Sequence, residues 1–125
     1  MEKTFFILQP SISLMPPRDE PDGHMAFEVR DDSMSDGTRY SYEPGDMVIC
    51  RHLPRSHWWT QIHTAHYDFV VMHRACGALL RKISYYDPVE GVLTLHPLNR
   101  LYQDYSMDLA EVSHIYHVIK VERTK

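Results

Sequence analysis

Hydrophobic and polar residues alternate along much of this 125-residue chain with a period of two, the spacing of strands that bury one face. "MAFEVR" puts Phe27 and Val29 on one face, and "DMVICR" puts Met47 and Ile49 on one face with Val48 and Cys50 on the other. "YDFVVMHR" is a continuous apolar run, the pattern of a strand covered on both sides. "GALLRKISYYD" and "GVLTLHPL" predict two more strands joined by the turn "DPVEG". The closing "SHIYHVIKVER" predicts a last strand, with Ile115, Ile119 and Val121 on one side and Tyr116 and Val118 opposite. Helical signal is thin. "DLAEV" at 108–112 predicts one turn, with Asp108 as N-cap and Glu111 closing a capping box, and "RSHWWTQIH" predicts another. Six or more strands on hairpin-length connections, with one or two short helical turns, imply a mostly β, antiparallel fold.

Residues 1–24 break this pattern. They carry Pro10, Pro16, Pro17 and Pro21 and the charged stretch "RDEPDG", and read as an N-terminal arm or linker ahead of one β-domain at 25–125. At 43% hydrophobic and 24% charged residues, the chain has enough apolar material for one modest core without metal or disulfide staples. The net charge of −4 weighs against a free-standing nucleic-acid binder, which needs a basic face. Cys50 and Cys76 make no disulfide framework and read as reduced thiols of a cytoplasmic protein. The apolar run in "MEKTFFILQP" is cut by Pro10 and is too short for a secretory or membrane-spanning segment, so no membrane partner is expected.

The candidate chemistry lies in "FEVRDDSMSDGTRYSYEPGDMVICR", where Ser33-Met34 sits in a polar turn between two strands. A serine hydroxyl is a poor nucleophile until a base takes its proton. The chain has nine histidines, but "DSM" is not the Gly-x-Ser-x-Gly elbow of histidine-activated hydrolases. The other solution is a lysine buried beside the serine until it is neutral. At this point the sequence resembles the LexA and phage-repressor C-terminal domains, with UmuD, a Ser-Lys peptidase family related to bacterial signal peptidases. Their nucleophile occurs as Ser-Met after a strand, followed by a Gly-Asp turn and an apolar strand; here these are "VRDDSM" and "EPGDMVICR". Their lysine lies on a later strand in an apolar-Lys-basic-apolar stretch; here the segment is "ALLRKI". The likeness covers residues 25–123 and implies a LexA-like β-fold with Ser33 at the nucleophile position and Met34 beside it. It also implies a homodimer through the C-terminal strand, of the repressor-type branch. In that family DNA is bound by a separate N-terminal helix-turn-helix domain. Residues 1–24 are too few to hold one, so the chain is expected to be part of a longer transcription regulator or a stand-alone relative.

Aligned on the apolar residues, the family's lysine falls on Arg81, and Lys82 matches a flanking basic residue. Strand alternation gives the same register: Leu79, Arg81 and Ile83 share one face, Leu80 and Lys82 the other. Neutralising a lysine at pH 7 costs roughly 4.6 kcal/mol from its reference pKa, within the reach of burial. The same step for an arginine costs on the order of 8 kcal/mol, which burial does not supply. Arg81 therefore predicts a degenerate site, and Lys82 acts as base only if a β-bulge turns it inward. Family repressors cleave themselves at an Ala-Gly or Cys-Gly bond ahead of the serine, and residues 1–32 contain neither. Cys76-Gly77 lies after the serine, where its glycine reads as turn chemistry.

Three functions follow. The first is a silent dimerisation and regulatory domain of a phage-repressor-like regulator. The second is an active Ser-Lys peptidase using Ser33 and Lys82. The third is a metal- or ligand-sensing module built on His57, His63, His66 and His73, of which His63 and His66 stand at helical spacing. No further ligand is fixed by spacing, so no metal or cofactor is assigned. Trp58-Trp59 beside Arg51, His52 and Arg55 reads as part core, part loop or subunit contact more than as a base-stacking patch. Asp31, Asp32 and Asp36 read as turn-forming aspartates, lacking the ligand spacing of a calcium loop.

Overall fold

A computed structural model of the chain describes residues 8–9, 19–20, 24–30, 32–64, 68–75 and 77–123. The strands are β1 (Leu8–Gln9), β2 (Asp19–Glu20), β3 (His24–Val29), β4 (Met47–Leu53), β5 (Phe69–His73), β6 (Gly77–Asp87), β7 (Val92–His96), β8 (Tyr105–Asp108) and β9 (Val112–Glu122). All pair antiparallel in the order β1-β3-β4-β9-β5-β6-β7-β8, with β2 also on β3. The fold is the mostly β, antiparallel one that the alternation predicts. The arm differs from a plain linker in that β1 and β2 both pair with β3. Among the described residues, no helix is long and apolar enough to cross a membrane.

Turn chemistry fixes the hairpins. In "DPVEG", Asp87 Oδ1 accepts from the backbone N–H of Val89 at 2.9 Å and of Glu90 at 3.1 Å, and Gly91 takes φ +74. Gly77 takes φ +81 at the β5–β6 turn, a conformation that an L side chain strains to adopt. Cys76, before it, lies outside the described residues.

The sheet curls so that both faces of its central strands are covered. One apolar cluster holds Phe27, Met34, Val48, Cys50, Val70 and Leu80; the other holds Trp58, Phe69, Val71, Leu79, Leu95 and Ile115. Successive residues of β5 therefore enter opposite clusters, the reason its sequence is a continuous apolar run. Each such side chain taken from water contributes about 1.5–3 kcal/mol.

Three local expectations need correction. In β9, Cys50 pairs with Val118 but Ile49 pairs with Lys120, so Ile119 is bulged out. The bulge returns Val121, opposite Val48, to the face of Tyr116 and Val118 and away from that of Ile115. The 108–112 segment does form a 3-10 turn, Leu109–Glu111, but Asp108 makes no side-chain cap hydrogen bond. "RSHWWTQIH" is longer than one turn: a 3-10 turn at Arg55–His57 runs into helix α1 (Trp58–Thr64). Trp58 there is a core residue that donates to Leu53 O at 3.0 Å, under the Arg55 guanidinium at 4.0 Å, while Trp59 is exposed. That geometry leaves no paired stacking platform.

Finally, β9 is central, flanked by β4 from Ile115 to Glu122 and by β5 from Val112 to His117. Val118 N still donates to Asp68 O at 2.9 Å. Beyond it, residues 119–122 have no strand on the β5 side among the described residues, and Ile119 and Val121 there are exposed.

Candidate functional site

The turn after β3 carries Ser33, and neighbouring loops clamp it. Ser33 O accepts from Asn99 N at 2.9 Å, Asn99 Nδ2 donates to Asp32 O at 2.9 Å, and Tyr102 Oη donates to Asp32 Oδ1 at 2.6 Å. Met34 O accepts from Tyr42 N at 2.8 Å. The Met34 side chain, expected beside the nucleophile, is fully buried in the first apolar cluster, where it anchors the turn. Ser33 itself is 0% exposed.

Arg81 and Lys82, adjacent on β6, go to different places. Arg81 is 2% exposed, and its Nη1 donates to Ser33 Oγ at 2.9 Å and to Leu80 O at 3.0 Å. A guanidinium carries N–H donors and no acceptor, so this contact holds the serine oxygen without drawing off its proton. Lys82 has a side chain 43% exposed, and its Nζ donates to Asp68 Oδ1 at 2.5 Å. Tyr42 Oη donates to the other oxygen of the same carboxylate. Burial first, then the Asp68 charge and hydrogen bond, push the Tyr42 phenol far above the ordinary tyrosine range.

Lys82, Asp68 and Tyr42 line a cleft of about 810 Å³, with Tyr40, Leu98 and Val121 among its walls. The open space thus lies on the ammonium side of β6, and the serine lies in the core. Asp68 and Tyr42 escaped the sequence reading. A signal for Asp68 existed: Phe69 pairs with Arg81, so one step along an antiparallel register sets Asp68 across from Lys82. Nothing in the sequence marks Tyr42 as its third member.

The other candidates are local structure. Asp36 Oδ1 accepts from Thr38 N at 3.0 Å, Thr38 Oγ1 at 2.7 Å and Ser41 Oγ at 2.9 Å, and these bonds, led by that of the Thr38 hydroxyl, hold its carboxyl below the usual range. Asp31 lies outside the described residues. Of the four histidines at 57–73, His57 is exposed and His73 is buried, its Nδ1 accepting from Ala75 N at 3.0 Å. His66 and the His63 side chain lie outside the described residues. Among the described residues, no three His, Cys, Asp or Glu side chains gather as a metal site. Cys50 is a buried free thiol whose pKa burial raises.

No protein-family model matches the chain, and no curated protein matches it.

Proposed function

We propose that this chain is a dimerisation and regulatory β-domain of the LexA and phage-repressor C-terminal type, with its Ser-Lys peptidase site silenced by Arg81. One observation carries the reading: Arg81 Nη1 donates to the buried Ser33 Oγ at 2.9 Å. The resemblance expects a neutral amine there, and a guanidinium stays cationic at any pH at which the protein folds. Lys82 does not replace it as base, because its ammonium is hydrogen-bonded to Asp68 and a nitrogen that shares its protons with a carboxylate offers no lone pair. The missing Ala-Gly or Cys-Gly bond in residues 1–32 agrees with loss of self-cleavage. The dimer forms along the unpaired side of β9 at residues 119–122, where Ile119 and Val121 offer apolar surface. DNA binding belongs to a separate helix-turn-helix domain, and the protein acts in the cytoplasm.

Sedimentation equilibrium at tens of micromolar, with intact-mass measurement after incubation at alkaline pH, tests this reading. A dimer that remains uncleaved is the expected result. A monomer across that range sinks the dimerisation role, and cleavage that Ser33→Ala abolishes sinks the silent site. Arg81→Lys is expected to restore slow hydrolysis of an added peptide that carries an Ala-Gly bond, since it returns a titratable amine to the serine.

A further inference from the structure

A second cluster of chemistry-bearing side chains lies at the β4–β9 joint, away from Ser33. His52 on β4 pairs with Tyr116 on β9, and His114, two residues back along β9, is its diagonal neighbour on the same face. Their rings approach with His52 Nε2 and His114 Nδ1 3.3 Å apart. Tyr116 buttresses both: its ring lies 5.2 Å from that of His52 and 6.4 Å from that of His114, and its side chain is in the core. Both imidazoles are exposed on their outer side.

The 3.3 Å separation fits two accounts of the pair. An N–H···N hydrogen bond between the rings takes this distance when one imidazole donates and the other accepts. Two nitrogens bound to one tetrahedral zinc at about 2.0–2.1 Å stand, by trigonometry, roughly 3.3–3.4 Å apart. Donors at right angles, as in octahedral ions, stand only about 2.9 Å apart on the same bond lengths. The nitrogen–nitrogen distance equals the bite of a tetrahedral ion, and imidazole nitrogen is a preferred donor for zinc.

We propose that His52 and His114 form a two-histidine zinc(II) site that clamps β4 to β9. Among the described residues no third His, Cys, Asp or Glu side chain completes the set. The remaining positions face solvent and take water, which makes the site open and exchangeable. It is distinct from the 57–73 histidines and independent of whether Ser33 is silent. Its consequence is mechanical: the ion ties β9, the C-terminal strand, to β4, so bound zinc stabilises the folded chain by mass action.

The test uses the full chain with zinc chloride in calorimetry and cobalt(II) as a spectroscopic probe. One equivalent of zinc is expected to bind and to raise the thermal midpoint, and cobalt(II) is expected to show a visible spectrum displaced from that of the aqua ion. His52→Ala and His114→Ala should each lower the affinity about tenfold or more, while far-UV circular dichroism remains that of the parent. His114→Gln, which keeps a polar side chain of similar reach, serves as a second variant should the alanine form fail to fold. His63→Ala/His66→Ala should leave binding unchanged. Absence of heat up to millimolar zinc overturns the proposal. So does an affinity that ignores His52 and His114, or one that disappears in the His63/His66 variant.

Discussion

Arg81 and Lys82 are neighbours in the sequence with the same formal charge, yet one is 2% exposed in the core and the other has a side chain 43% exposed in a cleft. Strand alternation sends them apart, and each environment selects its cation. In the core, the planar guanidinium is held by fixed oxygens, Ser33 Oγ and Leu80 O. At the cleft, the ammonium keeps part of its hydration and meets a carboxylate that Tyr42 also engages. The contrast teaches that what a buried hydroxyl can exchange a proton with is set by which basic group faces it and not by how many lie nearby. It also orders the energetic consequences: loss of the buried contact costs far more than loss of the solvated one.

The largest effect should come from Arg81→Ala. It removes a buried charged side chain and leaves a cavity beside Ser33, which should destabilise the domain by about 3–5 kcal/mol in urea unfolding. Lys82→Ala should cost under about 1 kcal/mol. Equal costs would erase the distinction between the two cations. Ser33→Ala comes second. It leaves a buried charged donor with one acceptor fewer, a loss of about 1–3 kcal/mol, read from the same unfolding midpoints. A stabilised Ser33→Ala variant would mean that the hydroxyl is strained in place, as a site built for chemistry and not for packing would be.

Much of this arrangement was legible in the residues. Alternation and the apolar run of β5 located β3 to β7 and β9 but not the four-residue β8, and the apolar bracket of Leu79 and Ile83 gave the register that separates Arg81 from Lys82. What escaped was set by pairing between distant segments. Val121 falls on the wrong face in a strict alternation because the bulge at Ile119 is a property of two strands together, invisible in one. Asp68 and Tyr42 lie 26 positions apart and meet only because β5, β6 and the 34–42 loop converge. Asp108 has the chemistry of a cap, but the extended backbone of β8 runs directly into its 3-10 turn and no cap bond forms.

Tyr42→Phe sharpens the contrast from the cleft side. At neutral pH it should cost about 1 kcal/mol, the net worth of one part-buried hydrogen bond. At alkaline pH the sign changes. The phenol's pKa is raised on folding, so the unfolded chain loses this proton first, near its ordinary pKa of about 10. The stability that Tyr42 contributes is therefore complete below that value and falls as pH rises above it. The parent should lose stability from about pH 10 upward more steeply than Tyr42→Phe, and one tyrosine should stay silent in ultraviolet titration until unfolding. Parallel stability curves in alkali would place the Tyr42 hydroxyl in solvent.

The smallest effect is the most specific to the cleft. A double-mutant cycle of Lys82→Met and Asp68→Asn isolates the ion pair from the Tyr42 bond, since the amide that replaces the carboxylate keeps an oxygen that the phenol can use. The coupling should be about 0.5 kcal/mol in dilute buffer, because the lysine end is solvated and loses rotamer freedom when held. Near molar salt the screening length drops to about 3 Å, shorter than a typical separation of exposed charges, and the coupling should fall towards zero. The destabilisation by Arg81→Ala should not move with salt, because water and its ions are excluded from the guanidinium. If the Lys82–Asp68 coupling resists salt while the Arg81 effect decays, the two cations have exchanged roles. The amine then sits in the dry environment that a Ser-Lys base requires, and silencing by Arg81 fails on electrostatic grounds alone.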